Sequence, residues 1–323
     1  MKKIKSMGTQ KLVAVFALIL LYVFFSIFGS NFFQYSTFIS ILDSSYYIGF
    51  MAIGVTFVII TGGIDLSIGT LCICCSLIGG TLFKAGVPMV AVLAITLALG
   101  LLFGLVNGLM VSVMGLPAFI ATLGTMMITR GLGSIVTGTA SVTFPQGEVA
   151  GAWFRNIFKY KAEGLPDAGI PAGFILLLAL AIIMAIFLNK TRPGRYILSL
   201  GSNKEATRLS GVNVVKWETL AFVISGGFAA LAGISYAAVY STLMPGTGNG
   251  FELDAIAGVV IGGTSLSGGT GSISGTLIGV FIMSVLKTGL PFIGLQPHYQ
   301  LFITGFVLIG AVFADVWNRR KSA

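Results

Sequence analysis

The chain has 323 residues, of which 9% are charged and 56% are hydrophobic, and its formal net charge is +9. An ordinary soluble domain carries roughly 25% charged residues, so this chain has too few polar groups to cover a water-exposed surface. The same composition excludes a disordered chain, and three cysteines are too few for a disulfide scaffold. These numbers favour a polytopic helical protein whose principal partner is the lipid bilayer.

Apolar runs along the chain predict an all-α bundle of about ten transmembrane segments in one domain, residues 1–323. The first run follows several lysines directly, and because no small-residue cleavage site comes after it, we interpret it as a retained span and not as a signal peptide. The eighth run is short and glycine-rich, so it could instead be a re-entrant hairpin. The ten runs are 12–28, 38–60, 71–83, 87–114, 117–136, 170–188, 220–240, 255–266, 273–286 and 301–316.

The positive charge is concentrated in three short blocks, 2–11, 190–216 and 319–321. Lys and Arg in short loops stay on the cytoplasmic side of a membrane. Both termini are therefore predicted to be cytoplasmic, which requires an even number of spans. The charges of segment 138–170 balance one another, which suits the outer face.

Two segments resemble each other at an offset of 200 residues. Residues 62–79 (GGIDLSIGTLCICCSLIG) and 262–279 (GGTSLSGGTGSISGTLIG) are identical at 10 of 18 positions without a gap. We interpret the match as an internal repeat, around 38–137 and 217–316, although shared membrane composition is the alternative. In the span count, an even number of spans separates the two copies, which gives two halves with the same orientation in the membrane. Inverted halves require an odd number, so the relative orientation of the two halves stays open.

Glycine-broken segments repeated in two halves are typical of the substrate path of transporters. The broken backbone is tolerated at membrane depth only where protein or water covers it. The pairs Gly62–Gly63 and Gly262–Gly263 are therefore candidates for the path. Asp65 and Arg130 are ionisable groups inside the apolar region, so they are expected to face the interior or water. They could pair as a gate, or Asp65 could cap the helix that follows the turn.

Several functional classes lack their motifs in this sequence. There is no G-x-x-x-x-G-K-[ST] P-loop, and the single histidine removes His-based metal sites and triads. We therefore predict no catalytic residue, no cofactor, no metal ion and no nucleic acid. The cysteines at 72, 74 and 75 are interpreted as small packing residues, and the glycines at 100, 104 and 108 as a face for close helix packing.

The longest basic loop contains a short helical pattern over 203–210. Asn203 or Ser202 can cap its start, and Gly211 can end it. The pattern is that of a short amphipathic helix that could dock a soluble partner. A solvated basic loop that only fixes topology explains these residues equally well.

Four stretches carry a family resemblance. The loop "TRPGRYILSLGSNKEATRLSGVN" (191–213) resembles the cytoplasmic coupling loop of ribose/monosaccharide-type ABC transporter permeases. The stretches "VTFVIITGGIDLSIGT" (55–70), "PAFIATLGTMMITRG" (117–131) and "ELDAIAGVVIGGTSLSGG" (252–269) resemble other signatures of that family. The resemblance covers about residues 32–315. It departs from the family pattern at Ile68, where valine is common, and segment 138–170 carries no signature.

The resemblance implies a permease subunit of a bacterial inner-membrane sugar importer, with a type II ABC importer-like fold. A second permease, identical or different, would complete the pore. A cytoplasmic ATP-binding subunit would supply the energy, and a periplasmic sugar-binding protein would deliver the substrate.

The resemblance also assigns the ATPase contact to individual residues, whereas the other candidate roles come from the chemistry and position of the residues. Contact with the ATPase is assigned to the loop helix, at Asn203, Lys204, Ala206, Arg208, Leu209 and Gly211. Bulky or charged residues at 203, 206 and 211 are expected to abolish ATPase association. Weak contacts with a polyol along the path would use Thr61, Ser67, Asn107, Thr125, Thr264 and Ser267. Glu252 and Asp254 would cap the eighth segment or dock the binding protein.

Three alternatives remain open at this point. Within ABC permeases, the substrate could be a polyol or a branched-chain amino acid, and the particular sugar is not determined. An ion-coupled sugar carrier would need intramembrane acids, for which only Asp65 and Asp43 are candidates. A membrane enzyme would need a convergent set of His, Cys and carboxylates that the chain does not offer.

Overall fold

The computed structural model describes residues 2–160 and 170–320, and the side chains of residues 2–10, 297, 311 and 314–320 fall outside this description. Most of the 319–321 basic block, the first lysine side chains and the middle of segment 138–170 therefore lie outside the described part.

The described chain is almost entirely helical. Two-residue strands β1 (Val142–Thr143) and β2 (Thr242–Leu243) pair antiparallel, and short 3-10 turns cover Ala152–Ile157 and Leu290–Ile293. The α-helices are α1 (Lys2–Phe28), α2 (Tyr35–Ile60), α3 (Ile68–Lys84), α4 (Met89–Ser112), α5 (Ala118–Thr137), α6 (Ala172–Lys190), α7 (Arg192–Ser202), α8 (Lys204–Leu209), α9 (Val214–Tyr240), α10 (Phe251–Ile261), α11 (Ile273–Gly289) and α12 (Pro297–Arg320).

Each of the ten apolar runs lies on a helix, which confirms a polytopic helical bundle. Within the described residues, seven helices are long and apolar enough to cross a membrane: α1, α2, α4, α5, α6, α9 and α11. The third and tenth predicted spans lie on shorter apolar helices, Ile68–Lys84 and His298–Gly310. The eighth forms α10, whose 11 residues rise only about 16 Å against a hydrocarbon core of about 30 Å, so α10 does not cross the membrane and the re-entrant alternative stays open.

Helix α2 forms the centre of the bundle and is buried from Ile41 to Ile60, with α9, α11, α10 and α6 packed around it. The packing role predicted for the glycines of α4 is confirmed. Gly100 faces Gly226 of α9, and Gly104 faces the backbone of Phe222 and Val223, so the α4 and α9 backbones approach closely. This contact fixes α4 against the core.

The bundle has two distinct ends. One end is formed by the C-terminus of α2, helices α7 and α8, and loop 265–270, and we call it the basic end. Lys11, from the N-terminal lysine block, donates to the Ser274 hydroxyl at 2.8 Å, next to that loop. Two of the predicted basic blocks therefore lie at the same end. The opposite end carries β1, β2 and the ion pair of Lys159 with Asp43 at 2.9 Å.

Candidate functional site

The short helix predicted in the basic loop is confirmed as α8. The Asn203 side chain accepts a hydrogen bond from the Ala206 N–H at 2.9 Å, which caps the first turn. Gly211 has φ +79°, a left-handed conformation that lets the chain turn away after the helix. Sequence reasoning missed α7, which begins with a Thr191 cap accepting from Gly194 N–H and with Pro193 in its first turn.

Helix α8 is fixed to the bundle by one side and exposed on the other. Lys204 donates to both carboxylate oxygens of Glu218 on α9, at 2.8 Å each, and Thr207 is buried. Leu209 is 78% exposed, which is unusual for a leucine outside the lipid-facing helices. The exposed Arg208 pairs with Glu205 and lowers the pKa of that carboxyl group. Exposed charge around an exposed leucine is a surface suited to docking a protein.

An open groove of about 430 Å³ separates α7 from α8. Its walls include Tyr196 and Ser199 of α7 and Ala206 and Ser210 of α8. Together with the α8 surface, it gives the basic end both a protrusion and a recess.

The two glycine turns share a backbone conformation, but at a different offset from the sequence match. The left-handed glycines are Gly62 and Gly263, each with φ +87°, so the corresponding positions are 201 residues apart and not 200. The N–H of each bonds to the carbonyl group three residues earlier, at 2.9 Å in both turns. The loop that follows is longer in the second copy, where α11 begins at Ile273. The repeat of whole halves stays a prediction.

The first glycine turn leads into a buried polar network. Asp65 has no exposed surface, and its carboxylate accepts hydrogen bonds from the Ser67 N–H (3.0 Å), the Ser67 hydroxyl (2.6 Å) and the Ser225 hydroxyl of α9 (2.7 Å). The Asn107 amide donates to the Ser67 hydroxyl at 3.0 Å, and Thr125 donates to the Asn107 carbonyl oxygen. The network therefore joins the start of α3 to α4, α5 and α9.

The hypothesis that Asp65 pairs with Arg130 is wrong in this structure. All the hydrogen bonds to the Asp65 carboxylate come from serine groups, and the one from the Ser67 N–H lies at the start of α3. Asp65 therefore bonds the N–H of Ser67, the N-cap residue of α3, and does not cap the first turn of that helix. The long-range partner of Asp65 is Ser225, which the sequence analysis did not single out. The sequence offered only one indication of it, namely a serine on an apolar helix.

Arg130 instead lies exposed on α5. In the described part of the chain its guanidinium forms no ion pair. It lines a cleft with Thr129, Thr70 and Asn249 whose accessible space, about 10 Å³, holds about one water molecule. An arginine on a spanning helix is costly in contact with lipid, so this face of α5 requires water or protein against it.

Glu252 and Asp254 do not form the exposed docking surface that was predicted. Both are at least nine-tenths buried, and Asp254 pairs with Lys287 at 2.6 Å. The Lys287 ammonium also lies 4.9 Å from the centre of the Phe251 ring. The Lys287 ammonium therefore contacts two residues of α10.

The hydroxyl groups of the second turn differ from those of the first. Ser267 is exposed, whereas Ser67 is buried in the Asp65 network. Thr264 is buried, and within the described residues its hydroxyl has no hydrogen-bond partner. Thr61 donates to the Val58 carbonyl oxygen at 2.7 Å and so completes the end of α2.

Comparison with known proteins assigns the chain to a family. The model of the family "Branched-chain amino acid transport system / permease component" matches residues 37–312. The chain is 38% identical over 302 residues to the ribose import permease protein RbsC of Escherichia coli K12, covering 94% of this chain and 92% of that protein.

Two further relatives are named as import permeases for fructose and autoinducer 2. The chain is 35% identical over 270 residues to the fructose import permease protein FruG of Bifidobacterium longum, covering 83% and 78% of the two chains. It is 33% identical over 305 residues to the autoinducer 2 import system permease protein LsrC of Yersinia pestis, covering 94% and 83%. The chain therefore belongs to the family of permease components of the branched-chain amino acid transport system type.

Proposed function

We propose that this chain is the membrane-spanning permease subunit of a binding-protein-dependent ABC importer that moves a monosaccharide across the bacterial inner membrane. The observation that carries the proposal is the nearly full-length similarity to import permeases for ribose and autoinducer 2. Sugar transport by such a chain needs an energy source from outside, because its sequence contains no P-loop.

The energy would come from a cytoplasmic ATPase that docks on α8. The exposed Leu209 and the charges of Lys204, Glu205 and Arg208 support this, since an apolar centre with a charged rim is the usual composition of a protein interface. The N-terminal and central basic blocks lie at the same end, which supports placing that end, and with it the N-terminus, in the cytoplasm.

The substrate path would follow the face of α5 that carries Arg130. A second permease, identical or different, would cover this face and leave a hydrated passage between the two subunits. The buried Asp65, Ser67, Asn107 and Thr125 would then act from behind the path, by holding α3, α4 and α5 in register. The cleft at Arg130 is too small for a sugar here, so passage requires the two sides to separate.

High affinity would reside in a periplasmic sugar-binding protein. Such a protein would meet the end opposite α8, where Val149, Trp153 and Tyr160 are exposed. The permease then needs only weak contacts along the path, because tight binding there would slow release.

A test is uptake into proteoliposomes that contain the purified permease and its ATPase, with candidate binding proteins and radiolabelled ribose or fructose outside. We expect uptake that requires both enclosed ATP and the binding protein. Vesicles without the ATPase, and vesicles with a non-hydrolysable ATP analogue, are the controls. Uptake driven by an ion gradient with no ATP would overturn the proposal in favour of a carrier.

The description of the matching family favours a branched-chain amino acid as the second candidate substrate. A zwitterion calls for fixed charges of both signs along the path. The carboxylates of Asp65, Glu252 and Asp254 are buried, and Asp254 is already paired. Labelled leucine in the same vesicles decides between the two substrates.

A further inference from the structure

The C-terminal end of α7 lies against the first glycine turn and against loop 265–270, which follows the second turn. Gly201 faces the carbonyl oxygen of Ile60, the last residue of α2, and the backbone nitrogen of Gly269. The Gly269 N–H donates to the same Ile60 oxygen at 2.9 Å. A Cβ atom on Gly268 would lie 3.0 Å from the Gly62 nitrogen and 2.9 Å from the Gly201 oxygen. Three distant chain segments thus meet backbone to backbone, and we call this contact the glycine junction.

The glycine junction leaves no space for a side chain at position 201. A Cβ atom there would overlap the Ile60 carbonyl oxygen and the Gly269 nitrogen, both of which are backbone atoms that cannot rotate away. Gly201 itself is helical, so alanine would fit its backbone conformation and only the space is limiting. Glycine is therefore required at position 201 by the close backbone contact, and not by a turn.

Helix α8 begins immediately after this contact. Asn203 ends α7 and also caps α8, so the two helices share one residue and form a continuous corner. Gly201 lies two residues before Asn203, whose side chain caps the first turn of α8. The pair of Lys204 with Glu218 further stiffens the corner. Motion of α8 must move Gly201.

The other side of the glycine junction leads into the bundle. Ile60 ends the central helix α2, which is buried from Ile41 onward, and Gly62 begins the turn that continues to Asp65 and its network. Gly269 lies three residues before Ser272, whose side chain caps α11. A displacement at Gly201 therefore reaches the ends of α2 and α11 together.

We propose that the glycine junction is the contact that transmits motion of α8 to the first glycine turn and to loop 265–270, with Gly201 as its positioning residue. The inference rests on the proposed function, because it requires an ATPase that moves α8. Packed backbone contacts of this kind shift between discrete arrangements and do not stretch continuously, which suits a two-state transporter.

The test compares Gly201→Ala with Gly305→Ala in the reconstituted importer. Both add one methyl group to a helical glycine, but nothing lies within 4 Å of a Cβ at Gly305. For Gly201→Ala we expect normal co-purification of the ATPase, while uptake and hydrolysis stimulated by the binding protein fall roughly 100-fold, as misplacement by about 1 Å can do. Gly305→Ala should transport normally. Wild-type uptake by Gly201→Ala overturns the inference, whereas an inactive wild type overturns the proposed function instead.

A measurement on the wild-type complex covers the case in which Gly201→Ala does not assemble. Hydrogen exchange is compared between the nucleotide-free complex and the complex trapped with an ATP analogue. Exchange in peptides 196–212 and 262–272 should change together, while peptide 138–150, at the opposite end, stays unchanged. A change in 196–212 without one in 262–272 would show that the glycine junction transmits nothing.

Discussion

Leu209 gives the sharpest test of docking at α8. It is 78% exposed in the free chain, and its removal should cost the permease little stability, because alanine is the best helix former and no packing is lost. If the ATPase covers this side chain, Leu209→Ala removes three carbon atoms from a buried contact. The variant thus separates a docking role from a structural one.

The size of the effect follows from the area buried. Each buried methylene contributes about 0.8 kcal/mol, so three carbons give an upper value of about 2.4 kcal/mol. Taking about 2 kcal/mol for incomplete burial, the dissociation constant should rise roughly 30-fold, since every 1.4 kcal/mol is a factor of ten.

The assay is the affinity of the purified ATPase for the permease in nanodiscs, measured by biolayer interferometry. Val149→Ala is the matched control, because Val149 is 62% exposed at the end opposite α8. Its dissociation constant should equal that of the wild type. An unchanged constant for Leu209→Ala, with the wild-type complex forming normally, would refute the assignment of α8 as the docking helix.

Three further predictions concern the buried contacts. Ser225→Ala removes a hydrogen bond to the Asp65 carboxylate, so the free energy of unfolding should fall by about 2 kcal/mol, read as a lower Tm in detergent. Lys287→Met leaves the Asp254 carboxylate buried and unpaired and should destabilise by about 3 kcal/mol, and adding Asp254→Asn should restore most of the loss. Gly104→Ala forces the α4 and α9 backbones apart and should cost about 1–3 kcal/mol, with a matching fall in Tm.

Each of these predictions has a specific control. Ser199→Ala removes an exposed serine on α7 and should leave the Tm unchanged, as should Gly305→Ala in open space on α12. For the ion pair, a double variant no more stable than Lys287→Met alone would contradict the reasoning that an unpaired carboxylate causes the loss. A Tm shift for Ser199→Ala equal to that for Ser225→Ala would contradict the importance of the Asp65 network.

Local features of this protein were determined by the sequence itself. The apolar runs predicted the helices of the bundle, and Asn203 and Gly211 predicted both limits of α8. The glycines spaced four apart on α4 predicted a close helix contact. All these signals lie within a few residues of the structure they specify, because hydrophobic runs, caps and turn glycines act through their own segment of backbone.

Contacts between distant segments were decided by the tertiary structure. Asp65 bonds to Ser225, 160 residues away, and not to Arg130, because burial selects whichever donor the packing of α9 brings within reach. Glu252 and Asp254 looked exposed in a polar stretch, yet α10 folds into the bundle and buries them. The meeting of Gly201 with Ile60 and Gly269 follows from the packing of α7 against α2 and loop 265–270, and no local sequence pattern predicts it.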